Sequence, residues 1–154
     1  MEPTKKSGRY ERISQQLAEL MHKSSDVSAR MCSIAAVLHH KMPEFFWTGF
    51  YLLTPNGRLV VRCYQGSVAC MELKKDTGVC WASINQQKTI IVPDVEKFPG
   101  HIACDSRSKS EIVVPVKDAQ GQIIGVLDID SDKLSTFDEA DAAGLEKIMK
   151  LIYS

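Results

Sequence analysis

The stretch Phe46-Trp47-Thr48-Gly49-Phe50-Tyr51-Leu52-Leu53, then Thr54-Pro55-Asn56-Gly57, then Leu59-Val60-Val61-Arg62-Cys63-Tyr64 decides the fold. Two runs rich in β-branched and aromatic residues flank a turn whose Pro, Asn and Gly set or permit special backbone angles. That is a β-hairpin, and it fixes strand pairing here as antiparallel. Outward from it, Thr89 to Val92 reads as a strand ended by Pro93-Asp94. Glu111 to Val116 and Ile123 to Asp130 form a second strand pair around Asp118-Ala119-Gln120-Gly121.

Helices group at the two chain ends. Tyr10, Ile13, Leu17, Leu20 and Met21 recur at helical spacing, opposite Glu11, Arg12, Gln15 and Gln16. Ser24-Ser25-Asp26 interrupts that helix and caps a second through Val27, Met31, Ile34 and Leu38, with His39, His40 and Lys41 in its last turn and Pro43 stopping it. Gly78 to Gln86 suits a short helix. Thr136-Phe137-Asp138-Glu139 opens a last one that carries Leu145, Ile148, Met149 and Ile152 inward. The expected architecture is α+β: an antiparallel sheet with the N- and C-terminal helices on one face and pocket-forming loops on the other. The 154 residues and 44% hydrophobic content suit one domain over 1–154, with helices in 1–44 and sheet, pocket loops and C-terminal helix in 45–154.

Lys plus Arg and Asp plus Glu are each 19, so no basic field is available for nucleic acid or anionic lipid. The start, Met1 to Arg9, lacks the apolar core of a signal peptide, and no run is long enough to cross a bilayer. The expected location is cytoplasmic. Five cysteines, Cys32, Cys63, Cys70, Cys80 and Cys104, are an odd number that argues against a disulfide framework and for thiols reduced at rest. No Cys-x-x-Cys pair exists, and the adjacent His39 and His40 diverge on a helix, so neither a structural zinc site nor any cofactor is expected.

Candidate chemistry gathers in loops. Phe98-Pro99-Gly100-His101-Ile102-Ala103-Cys104-Asp105 places a cysteine in a polar loop just before the strand Ser110-Glu111-Ile112-Val113-Val114-Pro115. A helical turn there would bring His101 beside Cys104; the competing reading is a structural histidine. Cys70 follows Gln65-Gly66. Cys80 lies near the N-terminal end of its short helix, a placement expected to lower a thiol pKa. Cys63 alternates with Leu59 and Val61 and reads as a packed core thiol, Cys32 as a small core or surface residue. Asp128 and Asp130, two apart on a strand, share a face while Leu127 and Ile129 point to the core. Such a pair needs a cation or a shared proton; alternatively Asp130-Ser131 merely ends the strand. Glu111 either joins them or is an exposed strand-end charge. Trp47 and Tyr51, four apart, either wall a pocket or fill the core.

Together, Trp47-Thr48-Gly49-Phe50-Tyr51-Leu52, Gln65-Gly66 before Ala69-Cys70, Gly78-Val79-Cys80, Pro93-Asp94-Val95, the Phe98–Asp105 and Ser110–Pro115 runs and Gly125-Val126-Leu127-Asp128-Ile129-Asp130-Ser131 closely resemble the free methionine-(R)-sulfoxide reductases, enzymes built on a single GAF domain. The resemblance implies that Cys104 is the nucleophile and that Cys70 or Cys80 resolves its sulfenic acid, leaving their order open. It implies that Glu111, Asp128 and Asp130 are pocket carboxylates, with Asp130 polarising the sulfoxide oxygen, and that Trp47 and Tyr51 surround the substrate methyl group. It further implies a thioredoxin-like dithiol reductant, and a homodimer is compatible with it. Trp81 after Cys80, where the family commonly has glycine, and Arg62-Cys63-Tyr64, where Gly-Pro-Phe is frequent, are departures. The rival readings are a non-catalytic GAF small-molecule module and a redox-sensing module.

Overall fold

A computed structural model describes residues 1–101 and 103–154; Ile102 of the cysteine loop lies outside the described residues. The chain runs α1 (Pro3–Met21), α2 (Val27–Lys41), β1 (Trp47–Leu53), β2 (Leu59–Gln65), β3 (Glu72–Leu73), α3 (Gly78–Gln86), β4 (Ile90–Val92), a 3-10 turn (Val95–Lys97), β5 (Ser110–Lys117), β6 (Ile123–Ser131) and α4 (Glu139–Met149). The two-residue β3 and the 3-10 turn are too short to leave a periodic signal in sequence.

Local chemistry sets the helix starts. Asp26 accepts a hydrogen bond from the Ala29 amide, and Asp138 accepts from Ala140 and Asp141 while the Asp141 carboxylate returns to the Asp138 amide, a reciprocal capping box. The six strands form one antiparallel sheet in the order β3-β2-β1-β6-β5-β4. α1, α2 and α4 cover one face, over a core that includes Leu17, Ile34, Leu38, Phe50, Leu127, Ile129, Leu145 and Ile148. A second core on the opposite face joins Trp47, Tyr51, Leu59, Val79, Trp81, Val113 and Val126 under α3 and the loops.

One strand departs from simple alternation. β1 and β2 pair Gly49 with Tyr64 but Tyr51 with Val61, so β2 spends three residues where β1 spends two. This β-bulge reverses the side-chain alternation. Leu59, Val61 and Tyr64 therefore belong to the pocket-side core, whereas Cys63 packs on the helix side, half-buried. The expectation that Cys63 shares a face with Leu59 and Val61 is corrected by that extra residue. Burial and the neighbouring thiol of exposed Cys32 push the Cys63 pKa up to about 12.

Candidate active site

Strand register alone builds the floor of a cavity. Across β1, β6 and β5, Trp47 lies opposite Asp130 and Asp130 opposite Glu111; one step along, Gly49 lies opposite Asp128 and Asp128 opposite Val113. Residues directly opposite in a sheet share a face. An indole and three carboxyl groups thus emerge together on the side away from the N- and C-terminal helices. The cavity above them is about 50 Å³ and is walled by Trp47, Tyr51, Cys80, Cys104, Glu111, Asp128 and Asp130, together with loop residues such as Ser67 and His101.

The aromatic wall is tightly packed. Trp47 stacks between Tyr51, at 5.9 Å, and Tyr64, at 5.3 Å between centroids. The Trp47 Nε1 donates to the Ser67 carbonyl at 2.9 Å and the Tyr51 hydroxyl to the Cys70 carbonyl at 3.0 Å, so both rings also hold the loop that carries Cys70. Tyr64 and Trp81, at the two departures from the family pattern, have structural work: Tyr64 backs Trp47, and buried Trp81 donates to the Leu73 carbonyl, joining α3 to β3.

Cys70 and Cys104 form a disulfide, with Cα atoms 5.5 Å apart. The expectation of resting reduced thiols thus meets one bridge among the described residues, placed at the cavity. A polar strap aligns its two loops. The Ser67 hydroxyl donates to Asp105 Oδ2 at 2.8 Å, while Asp105 accepts from the Arg107 amide and from the Nε and Nη2 of its guanidinium. Those bonds to Arg107 hold the Asp105 carboxyl well below the usual carboxylate range. Arg107 in turn lies 4.8 Å over the Phe46 ring. Ser67, Asp105 and Arg107 were not singled out in the sequence. The available signal was Asp105-Ser106-Arg107, in which an Asp can close a turn on the amide two residues on.

Cys80 corrects another expectation. It occupies the first turn of α3, yet its pKa is pushed well up: burial dominates, and Asp128, Glu111 and Asp130 add negative charge nearby. Desolvation and like charge outweigh a half-charge at a helix end. The turn that would bring His101 beside Cys104 runs through Ile102 and so lies outside the described residues; residues 104–107 are bends and turns, and His101 Nε2 sits 3.5 Å from Glu111 Oε1, with burial lowering its pKa.

The carboxyl groups are the cavity's electrostatic feature. Glu111 and Asp128 are 5% and 7% exposed. Burial and Asp130 raise Glu111 to about 8; burial and Glu111 raise Asp128 well above its ordinary value; burial and Asp128 do the same for Asp130. Asp128 Oδ1 is buried with no hydrogen-bond partner among the described residues. An orphaned buried acceptor beside two further acids is an unmet demand for a cation or a proton donor.

The family model described as "GAF domain" matches residues 22–152. The chain is 48% identical to GAF domain-containing protein A of Dictyostelium discoideum, over 96% of this chain and 92% of that protein. It is 36% identical to the free methionine-R-sulfoxide reductase of Escherichia coli K12, over 91% of this chain and 84% of that one. Among solved structures, the free methionine-R-sulfoxide reductase of Neisseria meningitidis in complex with its substrate superposes with a TM-score of 0.91 at 38% identity, covering 96% of this chain and 88% of that one. The likeness therefore extends over both faces of the sheet.

Proposed function

This chain belongs to the free methionine-R-sulfoxide reductases, oxidoreductases of the GAF fold, and from that premise we propose that it reduces free L-methionine-(R)-sulfoxide through Cys104. The observation that carries the reading is the position of Cys104, facing a cavity floored by buried Glu111 and Asp128 and half-buried Asp130, with one Asp128 oxygen unpartnered among the described residues. A free amino acid brings an ammonium group to meet that demand; a sulfoxide inside a peptide does not.

The Cys104 thiolate attacks the sulfoxide sulfur while Asp130 polarises and protonates the oxygen. Net, the oxygen passes to the cysteine sulfur, the substrate sulfur takes up two electrons, and methionine and a Cys104 sulfenic acid result. The Cys70 thiol then condenses with the sulfenic acid, forming the disulfide and releasing water. A thioredoxin-like dithiol in the cytosol returns both cysteines to thiols. The Cys70–Cys104 bridge supports Cys70 as the resolving thiol. Cys80, buried with a raised pKa, has a poor thiolate fraction for that step. Glu111 and Asp128 hold the ammonium group, and Trp47 and Tyr51 enclose the substrate methyl. The whole of 1–154 acts as one catalytic domain.

The test mixes reduced protein with free methionine-(R)-sulfoxide and its N-acetylated form. One equivalent of methionine per protein is expected from the free substrate, none from Cys104→Ser, and a single turnover without dithiol-supported cycling from Cys70→Ser. The value of kcat/KM should fall by orders of magnitude on acetylation, because buried carboxyl groups are left unpaired. Equal values for the two substrates would overturn recognition of the free amine.

A further inference from the structure

Cys80, Glu111 and Asp128 come from α3, β5 and β6, and one potential ligand atom from each lies within 4.8 Å of the other two. All three residues are buried. They meet on the floor of the cavity, where Asp128 Oδ1 has no hydrogen-bond partner among the described residues. We infer that this trio is a zinc site, with Zn2+ held by the Cys80 sulfur and one oxygen each of Glu111 and Asp128.

Ligand chemistry selects the ion. Two carboxylates alone suit magnesium or calcium, but a sulfur ligand favours zinc, which takes mixed sulfur and oxygen donors in tetrahedral sites. Bond lengths of about 2.0–2.3 Å place such ligands roughly 3.3–3.8 Å apart. Side-chain adjustments of about an ångström bring the trio to that spacing. The fourth position faces the cavity, next to His101, whose Nε2 is 3.5 Å from Glu111 Oε1. Binding displaces the thiol proton of Cys80 and any proton the acids share, so affinity rises with pH. No local sequence pattern announces this site, because its ligands are 31 and 17 residues apart along the chain.

The disulfide form is the right test species. With Cys70 bonded to Cys104, Cys80 carries the one free thiol at the cavity among the described cysteines, while Cys32 and Cys63 lie on the helix side of the sheet. Co2+, a spectroscopic stand-in for zinc, is titrated into the oxidised full-length chain. A thiolate-to-cobalt charge-transfer band saturating at one equivalent, and bleached by one equivalent of Zn2+, is expected. Cys80→Ser should abolish the band, Asp128→Asn should weaken binding at least tenfold, and the Cys32→Ser/Cys63→Ser variant should keep both. Absence of the band in the folded parent overturns the site whatever the variants do, as does a band that survives Cys80→Ser. The consequence for turnover rests on the proposed function: zinc occupies the place of the substrate ammonium and raises KM without lowering kcat, and a fall in kcat at constant KM would refute that competition. Metal binding without methionine formation would refute the functional reading and leave the site standing; methionine formation without metal binding would do the reverse.

Discussion

Glu111 shows how much a single position depends on what folds over it. Its carboxyl titrates near 4.5 when solvated and is raised to about 8 by burial and the neighbouring Asp130. Between those values the folded chain holds a proton that the unfolded chain has released, so stability falls as pH climbs from about 5 to about 8. A Gln at 111 has no proton to lose. Glu111→Gln should therefore gain on the parent by on the order of 3 kcal/mol between pH 5 and pH 9, read as a melting-temperature gap that widens by roughly 5–10 °C. A gap independent of pH would show that Glu111 is ionised throughout. The shared face of Asp128 and Asp130 was legible in the sequence, since the alternation in Leu127-Asp128-Ile129-Asp130 assigns faces directly; that Glu111 joins them was one of two open readings, and the pairing of Glu111 with Asp130 between β5 and β6 decides it. Protonation was not legible. The sequence places Cys80 at a helix start, where a thiol pKa should drop; burial beside three acids reverses the sign, and only tertiary packing supplies that burial.

At the scale of the element, the hairpin and the strand pair β5–β6 were legible because turn residues and period-two alternation are local properties. The bulge in β2 was not: one extra residue on one strand is a property of the pairing, and Arg62-Cys63-Tyr64 carries no Gly or Pro to mark it. Its result is that Tyr64 rather than Cys63 faces the cavity side and stacks on Trp47. Gly49 makes the stack fit. A Cβ on Gly49 would lie 2.5 Å from both the Trp47 ring and the Tyr64 Cβ, so the indole lies across bare backbone. Gly49→Ala should cost about 1–3 kcal/mol in urea unfolding through overpacking. By displacing Trp47 it should also raise KM for free methionine sulfoxide. An alanine variant with parental stability and KM would mean that the aromatic wall tolerates a shift and does not define the cavity.

Across the whole molecule, the order of elements pointed to the layers, but what clasps the helical layer together was out of reach of any local pattern. Lys6, 3% exposed on α1, bonds Asp141 of α4 at 2.6 Å and the Thr136 carbonyl at 3.1 Å, and the Tyr10 hydroxyl takes the other Asp141 oxygen at 2.6 Å. In sequence Lys6 is one charge in a polar N-terminal run, 135 residues from its partner. Asp141, 1% exposed, also closes the α4 capping box. Removing the lysine leaves a carboxylate buried beside a phenol with its cation gone, a loss of about 3–5 kcal/mol. Replacing both charges by apolar side chains removes the uncompensated ion but also the Asp141 arm of the capping box and the acceptor of the buried Tyr10 hydroxyl, so Lys6→Met with Asp141→Leu should recover part of the loss and stop short of the parent by about 1–3 kcal/mol, the typical cost of a buried donor left unpaired. The clasp lies on the helix side of the sheet, and the cavity on the other. Urea unfolding of Lys6→Met should accordingly show the full loss, while single-turnover formation of methionine by the fraction still folded keeps the parental rate. A variant as stable as the parent would mean that water compensates Asp141; a slowed single turnover in folded protein would mean that the helical layer sets the geometry of the carboxyl row through β5 and β6, and that the two faces of the sheet are energetically coupled.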